Sequence, residues 1–343
     1  MAKIAIIGGG VIGSSIAYYL ALAGHAADVV VIEPDPTYEF AATPRATGGI
    51  RQLFTVPENI RMAQYGHEIY GNFETLMAVN GDRASIDFHR EGYLWLGSGK
   101  RDIDSLIANW RIQTAHDARV ELLDRKGVKH RFPSMRVEDI DIAAFSPDDG
   151  YMDPHSVLMG FRRKAVSLGI IYLKDRVVDF EVASNRIAGV RLESGERLAT
   201  ENVVNAANCW GPGLCDKLGM KVPVAPMRRL TFYFEIREKL EPMPLTGISA
   251  AISASAHKGP VISAATPAMT SRRDSIGRSI TPISTKRSGR GWPSGCPPSK
   301  RSRWPAPGPA ITTRTVSTTT RSSDPGPVGW RTSTSPSVSP AMG

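Results

Sequence analysis

Gly8, Gly10 and Gly13 stand in G-x-G-x-x-G spacing near the start of the chain, and Glu33 follows twenty residues after the last of them. Glycines so placed suit the binding of a dinucleotide. The first makes a tight turn, the second lets a pyrophosphate approach bare backbone, and the third lets a helix lie close on a strand. The N–H groups of that helix's first turn then face the phosphates. An acid at Glu33 can accept hydrogen bonds from the 2′- and 3′-hydroxyls of a ribose, which favours FAD or NAD over NADP. Gly-rich turns are common, so the spacing draws its value from the elements around it, and alone it does not separate FAD from NAD.

Those elements fall in the required order. Residues 2–7 form a short apolar run that ends in glycines, as a buried parallel strand does. The helix that follows carries Ala17, Leu20, Ala21 and Gly24 on one small face, with Gly24 where a helix end wants positive φ. Residues 28–32 (DVVVI) read as a second buried strand ending at Glu33. Beyond it, Arg45, Thr47, Gly48 and Arg51 lie in a second small-residue and glycine turn, suited to a segment lying against a flat cofactor ring. Residues 59–79 predict one long amphipathic helix, and residues 87–89 and 93–96 a hairpin across Glu91-Gly92. Residues 103–116 predict a helix. Asp153-Pro154 reads as an N-cap followed by proline in the first helical position, opening a helix to about Leu168. A meander is expected from strands near 170–173, 176–182, 186–192 and 197–199. Residues 203–207 then read as a buried strand, and 223–235 as extended.

The fingerprint, ATPRATGGIRQLF, GYMDP, VVDFEVASNRIAGVRLESGERL and VVNAANCWG occur in that order over roughly residues 3–234. This ordered set resembles the FAD-dependent amine oxidoreductases, the family of D-amino-acid oxidase, glycine oxidase and monomeric sarcosine oxidase. The resemblance implies an α/β protein, with a Rossmann-type FAD-binding domain (1–85 and 147–220) interleaved with a mostly antiparallel α+β substrate domain (86–146 and 221–246). It implies that Gly8, Gly10, Gly13 and Glu33 hold the ADP half of FAD and that Arg45, Thr47, Gly48 and Arg51 lie beside the flavin. Val178 would set its backbone against the adenine, and Ala207 would line the pyrophosphate region. The family's usual Ala-Ala-Gly here ends in Asn208, a residue that tolerates left-handed backbone. The family reaction is hydride transfer from the carbon beside a neutral amine to flavin, with electrons passed on to oxygen or another acceptor. Catalytic residues are not assigned, and the substrate is read only as an amino acid or N-methyl amino acid.

Each singled-out residue also has a plainer reading. Arg51 could equally be a surface guanidinium in an ion pair. His89 and His155 read better as structural histidines, Cys209 as a buried thiol, and Arg228-Arg229 as a solvated strand end rather than a substrate-carboxylate site. The three cysteines form no CxxC pair and no ligand set with a nearby histidine, so no metal is expected. The N-terminus lacks a signal-peptide pattern and no stretch reaches the ~18 apolar residues of a membrane span, so a cytoplasmic home is expected.

The net charge of +9 is unevenly placed. From Gly247 to Gly343 there are 13 Lys and Arg against 2 acids, which leaves 29 basic and 31 acidic residues before it. The chain as a whole is therefore not a basic nucleic-acid binder, and a role for the tail as a basic arm on nucleic acid is the weaker alternative. A second alternative, an NAD-dependent dehydrogenase, is opposed by the meander followed by VVNAA. The tail contains no Leu, Phe, Tyr, Asn, Gln or Glu, and Ser, Thr, Pro and Gly make up 54 of its 97 residues. That composition predicts disorder.

It also has the mark of a displaced reading frame in GC-rich DNA. Read back by one base, Ala310-Ile311-Thr312-Thr313 becomes Gly-His-Tyr-Asp, and other parts give DHNAIIGP and ENFYLALGFSGHG, text like the same family's C-terminal part. A one-base insertion or deletion between the codons of Leu245 and Pro260 accounts for this. Resequencing that stretch of DNA is expected to show the extra or missing base. A gene that stands as translated would make the tail a genuine basic extension.

Overall fold

The computed structural model describes residues 3–235, 241–248, 253–257, 261–266 and 310–315. In chain order the elements begin β1 (Ile4–Ile7), α1 (Val11–Leu22), β2 (Val29–Ile32), β3 (Gly49–Ile50), α2 (Pro57–Gly71), α3 (Phe73–Leu76), β4 (Tyr93–Gly97) and α4 (Gly99–Ala115). They continue β5 (Glu121–Leu123), α5 (Arg125–Arg131), β6 (Ile142–Ser146), β7 (Gly150–Tyr151), α6 (Pro154–Ser167), β8 (Ile171–Leu173), β9 (Val177–Ala183), β10 (Arg186–Leu192) and β11 (Arg197–Ala199). The last are β12 (Asn202–Asn205), α7 (Gly211–Lys217), β13 (Val224–Glu235), β14 (Leu245–Ile248), β15 (Ser253–His257), β16 (Val261–Thr266) and β17 (Ala310–Thr315).

A parallel sheet in the order β12-β1-β2-β8 forms the first half of a doubly wound α/β unit. Its central strands β1 and β2 are apolar throughout because both their faces are covered. On β1 and β2, Ile6, Val29 and Val31 face the core shared with α1 and α6, where Ala17, Phe73, Phe161 and Ala165 also lie. Ala5, Ile7, Val30 and Ile32 point the other way, onto Val177, Val190 and Leu192 of the β9–β11 meander and Leu214 of α7. The small face foreseen on the first helix serves this packing, and Gly24 takes φ +86° just past its end.

The second body is a sheet in the order β17-β13-β16-β15-β14-β4-β6-β5. Here β4 alternates cleanly: Tyr93 and Trp95 face one core with Leu53, Ile60 and Leu245, while Leu94 and Leu96 face another with Val128, Phe132 and Phe145. α4 lies along this sheet. The two bodies are joined where β3 pairs antiparallel with β7, Gly49 opposite Tyr151 and Ile50 opposite Gly150.

Three expectations are corrected. The long helix over 59–79 is broken, because α2 stops at Gly71 and α3 restarts at Phe73. The hairpin of 87–89 with 93–96 does not form: His89 bridges to Tyr151, and β4 pairs antiparallel with β6 and parallel with β14. Local turn residues suggested a hairpin, but more distant strands supplied the partners. Residues 170–173 do not belong to the meander, since β8 extends the parallel sheet beside β2. Within the tail beyond β14, the described segments are β15, β16 and β17. The rest of the tail lies outside the described residues.

Phe73 is 1% exposed, meets Phe161 edge-on at 5.2 Å, and lies over Gly160, where an added Cβ would sit 2.4 Å from its ring. Phe73→Ala is therefore expected to cost about 3–5 kcal/mol, measured as a lower midpoint in urea unfolding.

Candidate functional site

The glycine turn is built by contacts that exclude side chains at two positions and leave room at the third. Gly8 has φ +99°, and a Cβ there would lie 2.6 Å from the carbonyl oxygen of Ala206. At Gly13 a Cβ would lie 1.8 Å from the carbonyl oxygen of Gly8, so α1 descends directly on the end of β1. At Gly10 the nearest atom to an added Cβ is Thr43 Oγ1, 4.0 Å away. No side chain caps α1 and no acid stands in its first turn, so its N-terminal N–H groups keep their donor capacity for an anion.

Glu33 meets this turn from the end of β2. Its Oε2 accepts from the Gly9 N–H at 2.8 Å and its Oε1 from the Asp35 N–H at 2.9 Å. Each oxygen retains a lone pair for a further donor. Burial pushes the Glu33 carboxyl above its ordinary value of 4.5, against the downward pull of those N–H groups and the Arg162 guanidinium.

Several residues that sequence reading missed support the turn. Ser14, fully buried, donates to the Gly9 carbonyl at 2.7 Å and accepts from the Tyr172 hydroxyl at 2.9 Å. Arg162 lies over the rings of Tyr38 and Tyr172, at 5.6 and 5.2 Å.

Ala207 lies against Gly8, its Cα 3.2 Å from where a Gly8 Cβ would stand. Asn208 takes φ +48°, the left-handed backbone foreseen for the position where the family carries glycine. Val178 stands at a register shift, with Val177 opposite Leu192 and Asp179 opposite Arg191. It has no residue directly opposite it in the β9–β10 register.

The second group of predicted residues divides. Gly48 has φ +75°, and a Cβ there would clash with the Met152 carbonyl oxygen at 1.9 Å. Arg45 turns back on its own loop: its Nε and Nη2 donate to the Glu39 carbonyl at 3.2 and 2.6 Å, and it stacks on Phe40. Thr47 is half-buried beside Gly48.

Among the described residues Arg51 has no ion-pair partner. Its guanidinium stacks among Phe54, Tyr93 and Trp95 at 5.1, 5.5 and 5.7 Å, and Nη1 donates to the Tyr93 hydroxyl at 3.2 Å. Its Nε is buried with no hydrogen-bond partner.

Behind Arg51 lies a cluster that the sequence did not signal. Asp149 is 0% exposed, and both its oxygens accept from the Gln52 N–H at 3.0 Å. His67 Nε2 lies 3.0 Å from Oδ1. A cleft of about 390 Å³, lined in part by Gln52, Gln64, His67 and Arg90, borders this pair.

Several other singled-out residues have local contacts of their own. His89 stacks on Tyr151 at 5.1 Å, where burial pushes the Tyr151 hydroxyl up to about 12. His155 lies in the first turn of α6 and donates its backbone N–H to the Asp153 cap. Burial raises the Cys209 thiol, which makes it a poor nucleophile. The side chains of Arg228 and Arg229 lie outside the described residues. Among the described residues there is no group of His, Cys, Asp and Glu that could hold a metal, and no helix long and apolar enough to cross a membrane.

Comparison with known proteins places these features in context. The family model described as FAD dependent oxidoreductase (DAO) matches residues 3–263, ending shortly after the composition changes at Gly247. The chain is similar to FAD-dependent oxidoreductase domain-containing protein 1 of Xenopus laevis, 34% identical over 265 residues, 67% of this chain and 53% of that protein. The chain thus spans about half the length of this curated relative. It is 25% identical over 228 residues to the mitochondrial dimethylglycine dehydrogenase of Homo sapiens, covering 66% of this chain and 25% of that one. L-proline dehydrogenase from P. horikoshii superposes with a TM-score of 0.69 at 25% identity, over 77% of this chain and 69% of that one. The likeness to a mitochondrial protein leaves the expected cytoplasmic location without support.

The raised pKa of Glu33 has a consequence for stability. The folded state holds this proton more tightly than the unfolded state, so the Glu33 contribution falls as pH rises from about the ordinary carboxylate value through the raised one. In Glu33→Gln that fall is absent. Urea unfolding across a pH series is expected to show a flatter pH dependence in the variant; identical profiles would refute the assignment.

Proposed function

Because the chain belongs to the DAO family of FAD dependent oxidoreductases, we propose that residues Gly8, Gly10, Gly13 and Glu33 hold the ADP half of FAD, and that the protein oxidises an amine which also carries a carboxylate. The substrate class is an amino acid or N-methyl amino acid, and the electrons pass to oxygen or another acceptor. The observation that carries the nucleotide reading is the contrast within the glycine turn: closed to any side chain at Gly8 and Gly13, open at Gly10. A fold that needed glycine only for packing would have no use for the space at Gly10.

The residues present fit the cofactor. The N-terminal N–H groups of α1 offer donors to a pyrophosphate, with Ala207 forming the facing wall. Glu33 keeps acceptor capacity for ribose hydroxyls, and Val178, at the register shift of β9 and β10, would set its backbone against an adenine. When bound, FAD supplies the ring that accepts the hydride.

This chain's own contribution on the substrate side is Arg51. A guanidinium that stacks on three aromatic rings, with no carboxylate partner and an unsatisfied Nε–H, suits an incoming substrate carboxylate. The surrounding rings of Phe54, Tyr93 and Trp95 exclude water and so strengthen that pairing. Gly48 and Gly49 bring their backbone close to the same place, Gly49 against Leu245 of β14. The relatives named for dimethylglycine and L-proline dehydrogenation support this substrate class. The proposed domain division follows the two sheets, with the Gly49–Tyr151 pairing at the seam.

Gly10→Ala tests the nucleotide reading without disturbing the fold, since an added Cβ there meets no atom nearer than 4.0 Å. With flavin removed from both, the variant is expected to unfold at the same temperature as the parent protein, and as purified to lose bound flavin, read from the visible flavin absorbance band. Retained flavin at parent levels would overturn the assignment.

A further inference from the structure

We propose that Asp149 is a positioning residue, which fixes the backbone of the Arg51–Phe54 segment so that the Arg51 guanidinium is presented to the substrate; this rests on the reading of Arg51 as the carboxylate-binding group. A fully buried carboxylate is costly unless its oxygens are hydrogen-bonded. The Asp149 oxygens meet the Gln52 N–H, the His67 ring and, at 3.5 Å, the Gln52 side-chain amide. None of these is a requirement of either sheet. The loop that carries Asp149, between β6 and β7, is already held by the Gly92 N–H donating to the Asp149 carbonyl and by the β3–β7 pairing.

What the side chain adds is control of one peptide plane. The Gln52 N–H belongs to the planar unit that includes the Arg51 carbonyl, so holding that N–H sets the ψ angle of Arg51. On the other side, Ile50 is held opposite Gly150, and the Gly48 carbonyl accepts from the Met152 N–H at 3.0 Å. Arg51 is thus fixed from both ends by residues 149–152, and only its side-chain torsions remain. Phe54, Tyr93 and Trp95 limit those by stacking.

Equally important is what Asp149 does not touch. Its charge is directed to a backbone N–H and a histidine, and the Arg51 guanidinium forms no ion pair among the described residues. An acid paired with Arg51 itself would have to be displaced by the substrate. An acid placed one residue along orients the cation and leaves its charge available. His67, 12% exposed on α2, donates from Nε2 because a carboxylate oxygen only accepts, and so holds the carboxylate in the required rotamer. This ties α2 to the same seam, across 82 residues of sequence.

The test uses the FAD-loaded full chain and three variants: Asp149→Asn, His67→Gln and Arg51→Ala. Backbone hydrogen exchange is followed by residue, and N-methylglycine is titrated in as the carboxylate probe. In Asp149→Asn, exchange is expected to accelerate at Gln52 and its neighbours while β1 and α1 exchange as before. The dissociation constant for N-methylglycine should rise about ten-fold or more, with FAD affinity unchanged. A loss of global stability would instead accelerate exchange in all elements and weaken FAD as well.

Unchanged exchange at Gln52, or accelerated exchange with unchanged probe affinity, overturns the inference. Should Asp149→Asn fail to fold, His67→Gln carries the same test, with a smaller loss of probe affinity expected and none overturning it. The parent reading fails separately, if Arg51→Ala binds N-methylglycine as well as the unaltered chain does. In that event the exchange data alone decide whether Asp149 holds the segment.

Discussion

At Gly13 there is room for a hydrogen and nothing more. The 1.8 Å separation between a hypothetical Cβ and the Gly8 carbonyl oxygen sets how far α1 descends onto the end of β1. That depth then governs much of the first body. It brings Tyr18 against Phe161, at 5.7 Å, and so seats α6 beside α1. It turns Gly8 so that its N–H donates to the Ile32 carbonyl at 2.9 Å, fastening the turn to β2. It leaves the Gly9 N–H pointing at Glu33. A side chain at position 13 would lift the helix, and the donor array at its start would no longer share a focus with the acid at the end of β2.

The second body depends on a different device. Its sheet does not reach the glycine turn, and the connection runs through two short segments, 48–54 and 149–152. Their pairing needs glycine at Gly48 and Gly150, where added side chains would strike the carbonyl oxygens of Met152 and His89, each at 1.9 Å. Where backbones approach this closely, hydrogen bonds and buried polar groups replace apolar packing as the source of precision. Asp149 is the one fully buried acid among the described residues, and it lies at this seam. The neighbouring cation, Arg51, stands against Phe54 and the aromatic face of β4.

These two devices differ in how far the sequence reveals them. The glycine turn is local: strand, turn, helix, strand and acid follow one another within Ile4–Glu33, and each residue's conformational demand is written in its type. The Asp153 cap, the β9–β11 meander and the left-handed Asn208 were legible for the same reason. The seam is not local. Gln52 and Asp149 are 97 residues apart, and nothing in either residue type announces the other. The stretch from Asp87 to Leu96 shows the converse error, where Glu91-Gly92 looked like a hairpin turn because the true partners, Tyr151 and β6, lie far along the chain. Arg51 was singled out by type, but its freedom from any ion pair follows from three rings contributed by two separate segments.

The tail bears on these bodies unequally. Several contacts of the glycine turn and its surroundings come from within residues 3–211: Gly8 with Ala206, Glu33 with Gly9 and Asp35, Ser14 with Tyr172, Asn205 with Gly211. The second sheet, in contrast, has β13, β15, β16 and β17 on the far side of β14, so its outer half is drawn from the chain on either side of the change in composition. Backbone ladders tolerate almost any residue, but register and burial depend on an apolar face. A strand reading Ser-Ala-Ser-Ala-His brings little of one. A reading-frame displacement after Leu245 would therefore fall on the second sheet and leave these contacts of the glycine turn in place. On this architecture the glycine turn and the outer half of the second sheet are drawn from largely separate stretches of the chain, and a lesion in one need not abolish the other.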